Sequence, residues 1–270
     1  MSNIRFSWSS ISTFITCKWK WYQNYVAKID TVVDHRNFLA GAIVHKLVED
    51  WASLGFPENY LIDNVDTAYD AYISSHNVNF LSLAANTLTR ENVADDKEFL
   101  LKKTRRAAER TEKLYRHFGF HEKPVMVENW LEFTVEDMNF VGIPDLYDYG
   151  RKAVFDLKVT ENNSYGDIRQ LAVYSIGLKT VKNLDTAALC FLYPLTKEGF
   201  IYREITPEAL TALQNEVIQI AKEMVKTEEF TKNYGKHCRW CQFNNTPHCT
   251  PNPVKDLPYS DNFGYTAMSR

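Results

Sequence analysis

The chain has 270 residues, 45% hydrophobic and 14% aromatic, enough to bury the core of one large domain or of a core with an insertion. Its formal net charge of -3 and pI near 6.2 exclude a protein that coats nucleic acid by bulk positive charge, leaving any such contact to local basic patches. MSNIRFSWSS holds no apolar signal core, and the longest apolar stretch, Ala187 to Leu195, is too short to span a bilayer. The expectation is a soluble, cytoplasmic chain without membrane contact, whose five cysteines stay reduced and so favour a metal site over disulfides.

A helix is expected over about 39–54, where Ile43, Val44, Leu47, Val48, Trp51 and Leu54 share one arc before Gly55 and Pro57 end it. Residues 56–120 read as a helical insertion. Within it KKTRRAAERTEK (102–113) carries six basic and two acidic residues, a solvated helix face or, alternatively, a DNA-facing stripe. From 125 to 205 a sheet core is expected. Val125, Val127, Leu131, Phe133 and Val135 alternate as in a half-buried strand, and residues 140–149 and 153–159 read as a hairpin about Gly150-Arg151. A helix over about 167–180 follows, then strands near 186–193 and 200–205. Thr206, Pro207 and Glu208 form a helix start, with that helix running to about Lys226. An irregular tail from Pro251 closes the chain.

In this hairpin register Tyr149 faces Lys152, which sets Asp145 opposite Asp156 on the face that also carries Lys158. Two facing carboxylates repel, and a divalent cation between them would account for the arrangement. Pro144 could shift the register by one residue through a bulge. Taken alone, D-x-K also occurs by chance as exposed polar residues screened by a lysine.

Gly142-Ile143-Pro144-Asp145 followed by Asp156-Leu157-Lys158 resembles the core of the PD-(D/E)XK nuclease superfamily. Gly41 to His45, with Glu49 one turn on, resembles the G-x-x-x-H motif of its RecB-like branch, and Gln170 to Tyr174 resembles that branch's Q-x-x-x-Y helix. The resemblance spans about residues 7–249. It implies an α/β fold with a mixed sheet, restriction-endonuclease-like, as a single domain. It further implies ligation of Mg²⁺ or Mn²⁺ by His45, Asp145, Asp156 and the carbonyl of Leu157, with Glu128 as an accessory acid. Lys158 would orient the attacking water, and Gln170 and Tyr174 would position the strand or the lysine.

Cys17, with Cys238, Cys241 and Cys249 in the terminal region 236–250, resembles the four-thiolate iron–sulfur set of exonuclease V, AddB-type and CRISPR-associated RecB-like nucleases, most simply a 4Fe-4S cluster. Zinc held with His237 or His248 is the alternative, and Cys190 reads as a core residue. The function implied is a metal-dependent exonuclease on single-stranded DNA or DNA ends. Its rivals are a non-catalytic DNA-binding subunit and a restriction-type endonuclease. Partners in replication, recombination or CRISPR adaptation, in a bacterial or phage setting, complete the expectation. Trp19, Trp21 and Tyr22, beside Lys18 and Lys20, are candidate base-stacking residues or else core.

Overall fold

The computed structural model describes residues 4–29, 36–75, 90–244 and 246–249. Near the N-terminus β1 (Arg5–Phe6), α1 (Trp8–Thr16) and α2 (Lys18–Trp21) lead into one π-turn at Tyr22–Val26. Next come α3 (Arg36–Ser53), α4 (Tyr60–Asp63), α5 (Val65–Ser75) and α6 (Arg90–His117). The strands β2 (Val125–Val127), β3 (Leu131–Val135), β4 (Met138–Gly142), β5 (Leu146–Asp148) and β6 (Ala153–Leu157) precede α7 (Ile168–Lys182). The order ends with β7 (Ala188–Leu192), β8 (Phe200–Glu204) and α8 (Pro207–Lys226). The expected α/β class with a mixed sheet is what the chain adopts.

A five-stranded sheet runs in the order β2-β5-β6-β7-β8, with β6 and β7 parallel and the other neighbours antiparallel. The crossover between β6 and β7 is α7, since parallel neighbours need a long connection. A smaller sheet, β1-β4-β3, carries the hairpin β3–β4. Every residue of β6 and β7 is buried, because helices or the small sheet cover both faces. Phe155 and Leu157 pack with Ile43, Leu47 and Trp51 of α3, while Val154 packs with Leu171, Val173 and the small sheet's Phe133.

Local chemistry explains the helix starts. Thr206 caps α8 by accepting from the N–H of Ala209, with Pro207 next, and Asp167 caps α7 by accepting from the N–H of Arg169. The close approach of α7 to the small sheet needs glycine at 177, where a β-carbon would lie 2.6 Å from the Phe133 ring.

Three expectations are corrected. Residues 125–135 form two strands in two sheets, broken at Glu128, whose φ of 45° turns the chain away. Residues 140–149 are likewise two strands: β4 ends at Gly142, Pro144 lies in the passage between sheets, and β5 begins at Leu146. The connection between β5 and β6 is a four-residue turn, 149–152, in place of two residues. Asp148, fully buried, organises it by accepting from the N–H groups of Gly150 and Arg151 and pairing with the Arg151 guanidinium. These bonds hold the Asp148 carboxyl below its ordinary range against the opposing effect of burial. Pro144 leaves the register intact: Leu146 faces Phe155 and Tyr147 faces Val154, which sets Asp145 opposite Asp156 as the alternation requires.

Candidate active site

The carboxyl end of β6 is where the two helical layers meet. From one side His45 on α3 reaches the strand end, with its Nε2 3.0 Å from the carbonyl oxygen of Leu157. Its Nδ1 lies 3.0 Å from Glu128 Oε1 and 3.4 Å from Asp145 Oδ1. Asp145 Oδ2 accepts the backbone N–H of Leu157 at 2.5 Å, which fixes that carboxylate against the strand. Glu128 donates its own N–H to the Asp145 carbonyl at 3.1 Å. The acids thus sit side by side, one at each passage between the sheets.

From the other layer α7 presents Gln170 and Tyr174 on one face. The Gln170 amide donates to Asp156 Oδ1 at 2.7 Å and to the Tyr174 hydroxyl at 2.8 Å, while its oxygen accepts from Lys158 Nζ at 2.8 Å. Lys158 also pairs with Asp156 Oδ2 at 2.7 Å. Tyr174 is seated against Gly142, where a β-carbon would come within 3.0 Å of its ring. The sequence-derived residues His45, Asp145, Asp156, Leu157, Lys158, Gln170 and Tyr174 therefore occupy one locus.

Their roles within it differ. His45, Glu128 and Asp145 offer ligand atoms within 4.8 Å of one another, whereas Asp156 is engaged by Lys158 and Gln170. Burial opposes charge on His45, but Asp145, Glu128 and Asp156 outweigh it and hold the imidazole up at about 9. Burial, with Asp156 and Glu128 nearby, pushes Asp145 up to about 8 against the pull of His45 and the Leu157 N–H. The Leu157 carbonyl can only accept, so His45 Nε2 carries a hydrogen and the imidazolium neutralises the acids. Hard carboxylates, an imidazole and a carbonyl suit a divalent metal ion, and ligation there would release protons.

Glu49 of the upstream motif points elsewhere: it is exposed and paired with Lys46 at 2.9 Å. Two residues beyond Glu128 stands Trp130, and two before Asp145 stands Ile143. Extending the ladder from Leu131 opposite Gly142 makes them neighbours, and they are 54% and 37% exposed. Sequence reasoning passed over Trp130, although an aromatic residue flanking a candidate acid was a usable signal.

The stacking candidates near the N-terminus are committed to packing. Trp21 is buried and donates to Ser10 Oγ, and Trp19 donates from its indole to the carbonyl of His248 at 2.8 Å. Tyr22 stacks on Phe230 at 4.6 Å. These contacts bring the cysteine-bearing ends together. Cys17 Sγ accepts the N–H groups of Lys20 and Asn233, each at 3.5 Å, and Cys238 Sγ accepts that of Gly235 at 3.4 Å. Burial resists ionisation of Cys17, yet His237 and these N–H groups bring it down to about 7. Burial, with some contribution from Cys17 and Cys238, raises the Cys241 and Cys249 thiols. The described residues show no closed cluster of cysteine sulfurs. Cys190 is buried in β7, with its thiol pushed up by desolvation.

Comparison with known proteins places these features in a family. A family model for the PD-(D/E)XK nuclease superfamily matches residues 5–246. The chain belongs to that superfamily. Among solved structures, one titled "Putative exonuclease" from Eubacterium rectale superposes with a TM-score of 0.54 over 95% of this chain and 91% of its own, at 14% identity. A second, SSO0001, has a TM-score of 0.34 and 16% identity over 76% of this chain and 94% of its own. No curated protein matches the chain. Among the described residues no helix is long and apolar enough to cross a membrane.

Proposed function

We propose that the protein is a DNA exonuclease, dependent on Mg²⁺ or Mn²⁺, that hydrolyses phosphodiester bonds at a free end of single-stranded DNA. The observation that carries this reading is the convergence of His45, Glu128 and Asp145 with the Asp156–Lys158–Gln170 network at one strand end. His45, Asp145 and Asp156, with the Leu157 carbonyl, would hold the metal, and Glu128 adds a third acid beside them. When bound, the ion supplies charge neutralisation and an acidified water. Lys158, already 2.7 Å from Asp156, holds its ammonium where a phosphate oxygen or the attacking water would lie. Gln170 fixes Asp156 and Lys158 relative to each other, and Tyr174 fixes Gln170. Exposed Trp130 beside the acids supports an unpaired strand, because a splayed base has a face on which to stack.

The neighbourhood of Cys17, Cys238, Cys241 and Cys249 supports a structural 4Fe-4S cluster, with backbone N–H groups aimed at two of the sulfurs. Zinc is the other metal these thiolates would accept. The test is anaerobic purification with iron and sulfide analysis, then assay of that sample on linear and on covalently closed single-stranded circles. Cleavage confined to linear DNA with Mg²⁺ or Mn²⁺ is expected; cutting of closed circles would replace the exonuclease with an endonuclease.

A further inference from the structure

A cleft of about 520 Å³ opens between one face of α6 and the loop 193–199 that joins β7 to β8. Arg106, Arg110, Lys113 and His117 recur at intervals of four, three and four and so share that face, while Lys197 enters from the loop. Four fixed cations meet one carboxylate, Glu198, in a chain whose net charge is -3. The cleft is therefore a local concentration of positive charge that composition conceals.

The cations fall into two groups. Arg110 donates to the carbonyl oxygens of Pro194 and Thr196 at 3.2 and 3.3 Å, so it holds the loop. Thr196, buried, donates to the Tyr193 carbonyl at 3.1 Å and accepts the N–H of Gly199 at 3.2 Å, which gives the cleft a preformed wall. Arg106 and Lys113 instead make exposed ion pairs with Glu161 at 3.8 Å and Glu109 at 2.6 Å. Such pairs are worth about 0–1 kcal/mol and exchange readily for a phosphate. Lys197 is exposed.

The cleft also adjoins the catalytic locus. Lys158 donates its N–H to the Leu192 carbonyl at 2.8 Å, and the cleft begins at Pro194, two residues or about 7 Å of extended chain further on. Both features lie at the carboxyl ends of the parallel strands β6 and β7, where open α/β sheets leave a crevice.

We propose that this cleft binds the phosphodiester backbone of the strand being cut, holding phosphates a short run of nucleotides away from the scissile one. The assignment rests on the nuclease reading above and names a substrate contact outside its metal locus. The chemistry that recognises the ligand is fixed positive charge on a rigid wall with no aromatic platform, which suits a backbone and not a base.

The test is equilibrium binding of a short labelled DNA single strand to the full chain across a salt series without divalent ions. Arg106→Ala with Lys197→Ala is compared with the parent, and Arg110 is left intact because it supports the loop. The double variant is expected to bind about tenfold more weakly, with the slope of log affinity against log salt reduced by about 1.4. Hydrolysis of bis(p-nitrophenyl) phosphate, too small to span both places, should be unchanged. Unaltered binding and slope in a folded double variant that still cuts DNA would overturn the cleft alone. Equal competition by a deoxynucleoside monophosphate would also overturn it, making the cleft a nucleotide pocket. Parent protein that binds through the cleft yet cuts no DNA would overturn the nuclease reading and leave the cleft standing.

Discussion

The acidic locus and the cysteine-bearing ends both join segments far apart in sequence, yet they are held by different means. His45, Asp145 and Lys158 stand on or beside α3 and the ladder of β5 and β6, whose flanking core is fully buried. Cys17 and Cys238 meet through short helices and turns, joined by contacts such as Trp19 N–H to the Thr231 carbonyl and the Lys18–Glu223 pair. Where regular structure supplies rigidity, losing a side chain should remove chemistry and spare the fold. Where turns carry the ligands, the bound metal should itself supply the rigidity.

The largest test of that contrast is Asp156→Ala or Lys158→Ala, each expected to lower the cleavage rate by about a thousandfold while the melting temperature stays near that of the parent. Full activity in either would remove that residue from the reaction. Cys17→Ser or Cys241→Ser should do the reverse, abolishing the visible iron–sulfur absorbance and lowering the melting temperature by several degrees, with chemistry failing only through unfolding. Equal stability of these variants and the parent would erase the distinction. Gln170→Ala keeps every proposed metal ligand and should cost about 10–100-fold in rate through Asp156 and Lys158, a loss that Gln170→Glu should not repair. The smallest effect is on pH dependence. The His45 imidazolium stabilises the metal-free fold fully below pH 6.5, the ordinary histidine value, and that contribution is lost as pH rises through about 9. In EDTA the melting temperature should therefore fall between pH 6.5 and 9, and saturating Mg²⁺ should flatten the decline. A flat profile in EDTA would show that His45 is not held protonated.

The hairpin register was legible because a period of two survives any turn that preserves parity: the turn is longer than expected, yet Leu146 still faces Phe155. The break at Glu128 was not legible for the same reason. Val125, Val127, Leu131, Phe133 and Val135 keep odd parity straight through it, so alternation continues while the chain changes sheets. The residue that makes the turn at φ 45° is glutamate, whereas glycine or asparagine would have advertised it. Order along the chain was enough to nominate His45, Gln170 and Tyr174. It could not show that Glu128, and not Asp156, stands beside His45 Nδ1, since that depends on where two sheets abut. The basic face of α6 read as solvated because its counterpart, the loop 193–199, lies some eighty residues away.

The passages at 128–130 and 143–145 bracket a hairpin whose far end is the tight turn Glu136-Asp137, with φ of 46° and 63°. Tolerance to length change should follow from that layout. Residues added in pairs beyond Val135 would extend the ribbon outward and leave both acids in place. A single residue inserted between Gly142 and Asp145 would reverse the facing of everything after it and swing the second acid away from the imidazole.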